Sequence, residues 1–250
     1  MCNIFKMGFF DFLKKDKDNS SNSKSLPTIN NSVIDNKAIS SLSTAYNKLE
    51  NNLGLKMTGR CGLTVKSVQV QEFNEMKQYI DSFLSIVSDK EKTAWNFTYK
   101  SLVDKYGYLW FLLKGREMQD MVVAISSIGD TIHEKGFSRQ LLAAIFEFTT
   151  GYNVNYSSRS LNKDNDSSSF ASNNNQSQFL IYNYKTDKFY PFVPSSPSVF
   201  SELTTTLPNN HPDKKRNHYL ELKIMTYIKD EIPFETDMAF WYPIWYIPFD

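Results

Sequence analysis

Residues Tyr106 to Leu113 read Tyr-Gly-Tyr-Leu-Trp-Phe-Leu-Leu, and a strand so nearly continuous in apolar side chains is stable only where both of its faces are buried. The segment therefore predicts the interior of a sheet rather than its rim. Just before it, Trp95, Phe97 and Tyr99 alternate with Asn96, Thr98 and Lys100, the period of two expected of a strand with one buried and one wet face. The two runs are close enough in sequence to pair.

Helical periodicity surrounds this pair. Ile39, Leu42, Tyr46, Leu49 and Leu53 repeat at three-and-four spacing and predict a helix from about Lys37 to Asn52, with Asp35 or Asn36 as its cap and Gly54 as its stop. A short strand, Gly62 to Val68, follows. Phe73, Met76, Ile80, Phe83, Leu84 and Val87 form one stripe of a second helix, Gln71 to Val87. The most regular helix is Glu117 to Glu134: Met118, Met121, Val122, Ile125, Ile128 and Ile132 face inward, Gln119, Asp120, Ser127, Asp130 and Glu134 outward, and Gly136 ends it. Leu141 to Phe148 has no decisive period; its length and aromatic end favour a strand, with a short helix as the alternative.

Phe179 to Tyr184 and Lys188 to Phe192 flank a polar turn and predict a hairpin. A last helix is expected from Asp213 to Glu231, with Leu220, Ile224, Tyr227 and Ile228 inward. The proline-punctuated aromatic tail from Pro233 predicts an ordered extended strap. Strands close enough to be hairpins, mixed with helices, define an α+β fold: a single domain, mainly antiparallel β-sheet with packed helices.

Domain organisation follows composition. Residues 1–17 form an amphipathic segment, 18–36 a flexible linker, and 37–250 the domain. Two Asn/Ser-rich insertions, 153–177 and 195–210, hold too little apolar surface to fold and are expected to be disordered. In the first segment Phe9, Phe10, Phe12 and Leu13, with Lys14 and Lys15, are candidates for reversible contact with an anionic membrane surface; a helix or strand end packed on the domain is the alternative. No run approaches the ~20 apolar residues of a membrane span, and no apolar leader with a cleavage site opens the chain. The expected location is cytoplasmic, peripheral at the inner face of the membrane where the anchor engages.

The search for chemistry is short. Twenty-eight basic residues against 27 acidic ones leave a net charge of +1, too little for the field of a general nucleic-acid binder. The Tyr182, Tyr184, Lys185, Lys188 and Tyr190 cluster resembles a stacking platform for single strands, but the weak charge favours an aromatic hairpin. Neither a G-x-S-x-G elbow nor a phosphate-binding Gly-Lys-Ser/Thr loop is present. His133 falls on the last turn of a helix, where the dipole favours a cation, and His211 and His218 lie in or beside a polar insertion. Cys61 beside Arg60 reads as a small buried hydrophobe rather than a nucleophile. The carboxylates cannot be paired from spacing. No catalytic, metal or cofactor residue is assigned. Trp241, Tyr242, Trp245, Tyr246 and Phe249 are the candidate partner surface, the other reading being that they close the protein's own core.

Several blocks in combination resemble one family. They are Met7-Gly-Phe-Phe-Asp-Phe-Leu13, Leu42-Ser-Thr-Ala-Tyr46, Leu53-Gly54-Leu55, Thr58-Gly59-Arg60, and Tyr106-Gly107-Tyr108 with Trp110. Further on come Gly136-Phe137, Gln140-Leu141-Leu142, Phe179-Leu-Ile-Tyr-Asn-Tyr-Lys185, Phe189-Tyr-Pro-Phe192 and Trp241-Tyr242-Pro243-Ile244-Trp245, with Pro248 and Phe249 after it. Their order resembles the PspA-associated protein PspAB family of the phage-shock, or envelope-stress, system. That family starts near Met7, which makes residues 1–6 an extension or a misplaced start, and the two insertions are longer than expected. The resemblance implies a non-enzymatic role beside a PspA-like protein, the membrane-remodelling coiled-coil component, and in some cases beside an HtpX-like membrane protease. It implies no active site. The expected function is that of an adaptor or regulator; the alternative is a small-molecule or nucleotide-responsive sensor with a pocket between helices and sheet.

Overall fold

In the computed structural model, residues 37–89, 95–150, 176–195, 211 and 214–249 are described, all within the compact unit 36–250. Their elements run α1 (Lys37–Leu53), β1 (Leu55–Lys66), α2 (Gln71–Val87), β2 (Phe97–Val103), β3 (Tyr108–Gly115), α3 (Met118–Glu134), a 3-10 turn (Ser138–Gln140), β4 (Leu141–Thr150), β5 (Ser177–Asn183), β6 (Lys188–Phe192), α4 (His218–Ile228) and a second 3-10 turn (Met238–Phe240). The strands form one open six-stranded sheet in the order β2-β3-β1-β4-β5-β6. Every neighbouring pair is antiparallel. The α+β class read from the sequence is the observed one.

Strand β3 lies inside the sheet with Leu109 to Leu113 buried, as its apolar run predicts. Register assigns each side chain to a face. Cys61, Leu63 and Val65 of β1, opposite Leu113, Phe111 and Leu109 of β3, share one face with Ala144, Phe146 and Phe148 of β4. Helices cover that face: Tyr46 of α1 meets Phe148, and α2, α3, α1 and α4 follow one another across it from β2 to β6. The opposite face carries Gly62, Thr64, Trp110, Leu112, Ala143, Ile145, Ile181, Tyr190 and Phe192. The strap, residues 233–249, covers this second face, with the Trp245 ring edge-on to Phe192 at 5.1 Å and Phe249 against Gly62. It begins by capping the sheet edge, where the Phe189 N–H donates to the Pro233 carbonyl and the Glu235 N–H to the Phe189 carbonyl, both at 2.8 Å.

Several boundaries differ from the sequence reading, three of them at the start of an element with a clear physical cause or consequence. Strand β1 starts at Leu55 rather than Gly62, because a bulge between Met57 and Cys61 carries the strand through its glycines. Gly59 there has φ +83°, and a Cβ would fall 2.1 Å from the Gly115 carbonyl oxygen, so only glycine fits. Helix α4 starts at His218 rather than Asp213. Arg216 bridges Pro194, the Asn217 N–H donates to the Val193 carbonyl at 2.7 Å, and the Asn217 side chain caps the Leu220 N–H at 3.1 Å. Strand β5 begins at Ser177, two residues before the expected Phe179 and on the last residue of the first insertion. The remainder of both insertions, apart from Ser195, Gln176 and Ser177, lies outside the described residues, as do residues 1–36 with the N-terminal segment, the linker and the two expected caps of α1.

Helix α3 ends at Gly136, whose φ of +85° lets its N–H reach the His133 carbonyl while the Phe137 N–H reaches Ile132, both at 2.9 Å. On the inner side of the same helix, Gly129 leaves room for Tyr184, whose hydroxyl oxygen would sit 2.7 Å from an added Cβ and has no hydrogen-bond partner. Alanine in a helix ordinarily gains about 1 kcal/mol over glycine. Here the clash reverses the sign: Gly129→Ala is expected to lower unfolding free energy by roughly 1–3 kcal/mol in urea titrations. In a Tyr184→Phe background, which removes the obstructing oxygen, most of that loss should vanish. An equal loss in both backgrounds would refute the packing account.

Candidate functional site

The strap does not lie flat on the sheet. Between it and the β2–β3 turn is a cavity of about 610 Å³, open along its outer side, with Thr64, Trp110, Ala143 and Tyr190 among its floor and walls and Tyr106, Tyr108, Tyr242, Trp245 and Tyr246 around them. The β2–β3 turn is built by Asp104. One carboxylate oxygen accepts from the Tyr106 and Tyr108 N–H groups, each at 2.9 Å, and the other from the Trp110 indole at 2.8 Å. Those bonds set the turn's two tyrosines at the mouth. Tyr106 is 54% exposed there, and so is Tyr242 on the strap side.

Two buried glutamates hold the strap, one toward each end. Glu221 of α4 has no exposed surface and accepts from the Val193 N–H at 2.9 Å, Arg216 Nε at 2.9 Å and His218 Nδ1 at 3.0 Å. Arg216 in turn donates from Nη1 to the Trp241 carbonyl at 2.8 Å. Glu147 of β4 is equally enclosed. It takes Arg60 through Nε at 2.5 Å and Nη2 at 2.7 Å, the Thr58 hydroxyl at 2.6 Å and the Ser177 hydroxyl at 2.7 Å. The Arg60 guanidinium lies 5.5 Å from the centre of the Phe249 ring. Each arginine is thus fixed by a carboxylate on one side and engages the strap on the other.

The five tail aromatics separate in this arrangement. Trp241 is only 2% exposed, its indole donating to the Glu235 carbonyl at 2.8 Å, so it belongs to the core and cannot meet a partner on this surface. Tyr242 points outward, while its carbonyl accepts from the Tyr190 hydroxyl at 3.1 Å. Trp245, Tyr246 and Phe249 are half-buried. Trp245 and Tyr246 line the cavity and Phe249 packs beside Gly62. The six N-terminal candidates, Phe9, Phe10, Phe12, Leu13, Lys14 and Lys15, lie outside the described residues.

Thr64, Asp104 and Lys214, which sequence reasoning passed over, are brought to this site from far apart, together with Tyr106 and Tyr108 of the β2–β3 turn and Lys185 of the aromatic hairpin. The Asp-Lys-Tyr-Gly turn at 104–107 was the available signal, since an aspartate there accepts from the N–H two residues on. The cavity also lies on the strap face, not between helices and sheet.

Burial pushes the Cys61 thiol well above its ordinary range, and the side chain sits on the helix-covered face. His133 Nδ1 is 2.6 Å from the Ser138 hydroxyl, at the end of α3. Tyr182 and Tyr190 are buried. Burial, and then the charge of Glu134, raise the Asp130 carboxyl to about 6. Among the described residues, no group of three or more His, Cys, Asp or Glu side chains could hold a metal ion, and no helix is long and apolar enough to cross a membrane.

Fold and site together define an α+β protein with an aromatic cavity roofed by its own C-terminal strap. The family model of PspAB, PspA associated protein B, matches residues 7–249, and the chain belongs to that family. No curated protein and no solved structure matches the chain.

The buried network makes a definite stability prediction. Glu221→Ala leaves the Arg216 charge enclosed without its carboxylate and should cost roughly 3–5 kcal/mol in chemical denaturation. The double variant Glu221→Leu with Arg216→Met, which removes both charges, should recover much of it. A loss below about 1 kcal/mol for Glu221→Ala, the range of an exposed pair, would show that the carboxylate does not hold this region together.

Proposed function

We propose that the chain is a non-enzymatic adaptor or regulator in the PspA-linked membrane-stress response, acting by protein–protein interaction near the inner face of the membrane. The observation that carries this reading is the placement of Tyr106, Tyr108 and Tyr242 around one open cavity, exposed to solvent on a framework that buries or half-buries most of its other large aromatics. Aromatic rings held this way supply contact area at little entropic cost, which suits an interaction surface. Family membership names the partner class, a PspA-like protein. An HtpX-like membrane protease is the second partner of the proposal. The non-enzymatic reading is supported by His133, His218 and Cys61, each occupied by packing or by a structural bond.

Phe9, Phe10, Phe12 and Leu13, with Lys14 and Lys15, provide reversible membrane contact in this proposal. Burying a phenylalanine contributes roughly 1.5–3 kcal/mol and each lysine about 1 kcal/mol on an anionic surface, less the cost of ordering the segment. The cavity's volume falls within the range of small-molecule sites and favours, as a second reading, a sensor of small molecules or nucleotides.

Sedimentation with anionic vesicles, with and without purified PspA, tests these elements together. The chain should pellet weakly with vesicles alone and strongly with PspA-coated vesicles. Changing Phe9 and Phe10 to Ser should abolish the first and spare the second, and Cys61→Ala, His133→Ala or His218→Ala in folded protein should alter neither. Equal pelleting with and without PspA would contradict the adaptor reading, and pelleting that appears only on adding a nucleotide would favour the sensor.

A further inference from the structure

The floor of the cavity holds a polar group with nothing to bond. Thr64 lies on the strap face of β1, opposite Trp110 and Ala143, and is only 5% exposed, yet its hydroxyl has no hydrogen-bond partner. A hydroxyl enclosed in that state is costly unless something enters to meet it. Neighbouring donors are already committed, the Trp110 indole to Asp104 at 2.8 Å and the Tyr190 hydroxyl to the Tyr242 carbonyl at 3.1 Å. The charges of the lining are engaged or peripheral. Asp104 accepts three hydrogen bonds from the turn that it builds, Lys214 is 9% exposed with an interaction of its own, and Lys185 lies exposed on the β5–β6 turn. What remains to face an occupant is aromatic ring and one buried hydroxyl.

We propose that the cavity is a binding site for an uncharged, planar ring compound bearing a carbonyl oxygen, the ring stacked on tyrosine and tryptophan side chains and the oxygen accepting from the Thr64 hydroxyl. The inference rests on the second reading above, a sensor of small molecules, and names its class of ligand. Its volume of about 610 Å³ lies inside the roughly 300–1,000 Å³ of small-molecule sites, which are mostly apolar with a few placed polar groups. Flat rings suit these walls because aromatic faces and edges pair in offset or edge-on arrangements that a saturated molecule of equal area cannot make. An ion entering here would lose hydration without a matching countercharge, so the ligand is neutral. A chain lying across the mouth would leave Thr64 as it is; a compact molecule that enters the cavity reaches it. The walls are set in advance, one by the Asp104 bonds of the β2–β3 turn and the other by the bond from Tyr190 to the strap.

Isothermal titration calorimetry of the full chain with four probes tests this: coumarin, an uncharged two-ring lactone; naphthalene, of similar shape without the carbonyl; a coumarin carrying a carboxylate; and ATP. Coumarin should bind at one saturable site, more tightly than naphthalene or the charged coumarin. Thr64→Val keeps the shape of the floor and removes the hydroxyl, so it should weaken coumarin roughly three- to tenfold and leave naphthalene unchanged. Tyr106→Ser with Tyr242→Ser alters exposed rings and should weaken both by about tenfold. Coumarin binding that neither variant changes would place the site elsewhere and overturn the proposal. Tighter binding of the charged coumarin would overturn the neutral class. ATP that binds where coumarin does not, and is lost in the tyrosine variant, overturns the proposal and leaves the sensor reading standing. Saturable binding by none of the four, up to the solubility of each, overturns the proposal and the sensor reading together and leaves the adaptor reading untouched.

Discussion

A carboxylate with no exposed surface is costly to enclose unless its oxygens are fully engaged, and Glu221 meets that condition with a backbone N–H, an arginine and a histidine. Those donors come from the end of β6, from the segment before α4 and from α4 itself. Satisfying one charge therefore fixes how the chain leaves the sheet, turns into the last helix and returns. Arg216, held by Glu221, reaches the Trp241 carbonyl and places the strap over Phe192 and Tyr190. Glu147 and Arg60 repeat the arrangement near the chain's other end of the strap, under Phe249.

The cavity is a consequence of this placement. The strap, engaged by two arginines, spans the space above Thr64 and Ala143. The β2–β3 turn supplies the opposite wall through the bonds to Asp104. The cavity lining, drawn from sequence positions near 64, 104–110, 185 and 242–246, has a base in β1, β3 and β4 and a mouth of exposed tyrosines.

Periodicity carried much of the fold. The stripes of α2 and α3 and the continuous run of β3 each have one stable solution, and their observed bounds lie within two residues of the expected ones. Gly59 hid the first half of β1, because glycine-rich sequence reads as a break while a bulge uses glycine to continue the strand. The start of α4 depended on a long-range bridge from Arg216 to Pro194, which no local pattern encodes. The site was less legible still. Tail aromatics look alike in sequence, yet Trp241 is core and Tyr242 is surface because one indole finds the Glu235 carbonyl and the other ring finds solvent. Lys214 and Thr64 carry no signal of their own; only the topology brings them together.

The central claim is that the C-terminal strap is an integral layer of this fold, not an appendage. Phe234, Trp241 and Ile247 are buried, and at roughly 1.5–3 kcal/mol for each such side chain their burial is comparable with the ~5–15 kcal/mol that stabilises a typical domain. Thermal unfolding of a chain truncated after Ile232, compared with the full chain, measures this directly. The truncated chain is expected to have no cooperative transition, or one lowered by well over ten degrees. A truncated chain that unfolds cooperatively at the temperature of the full one would contradict the account.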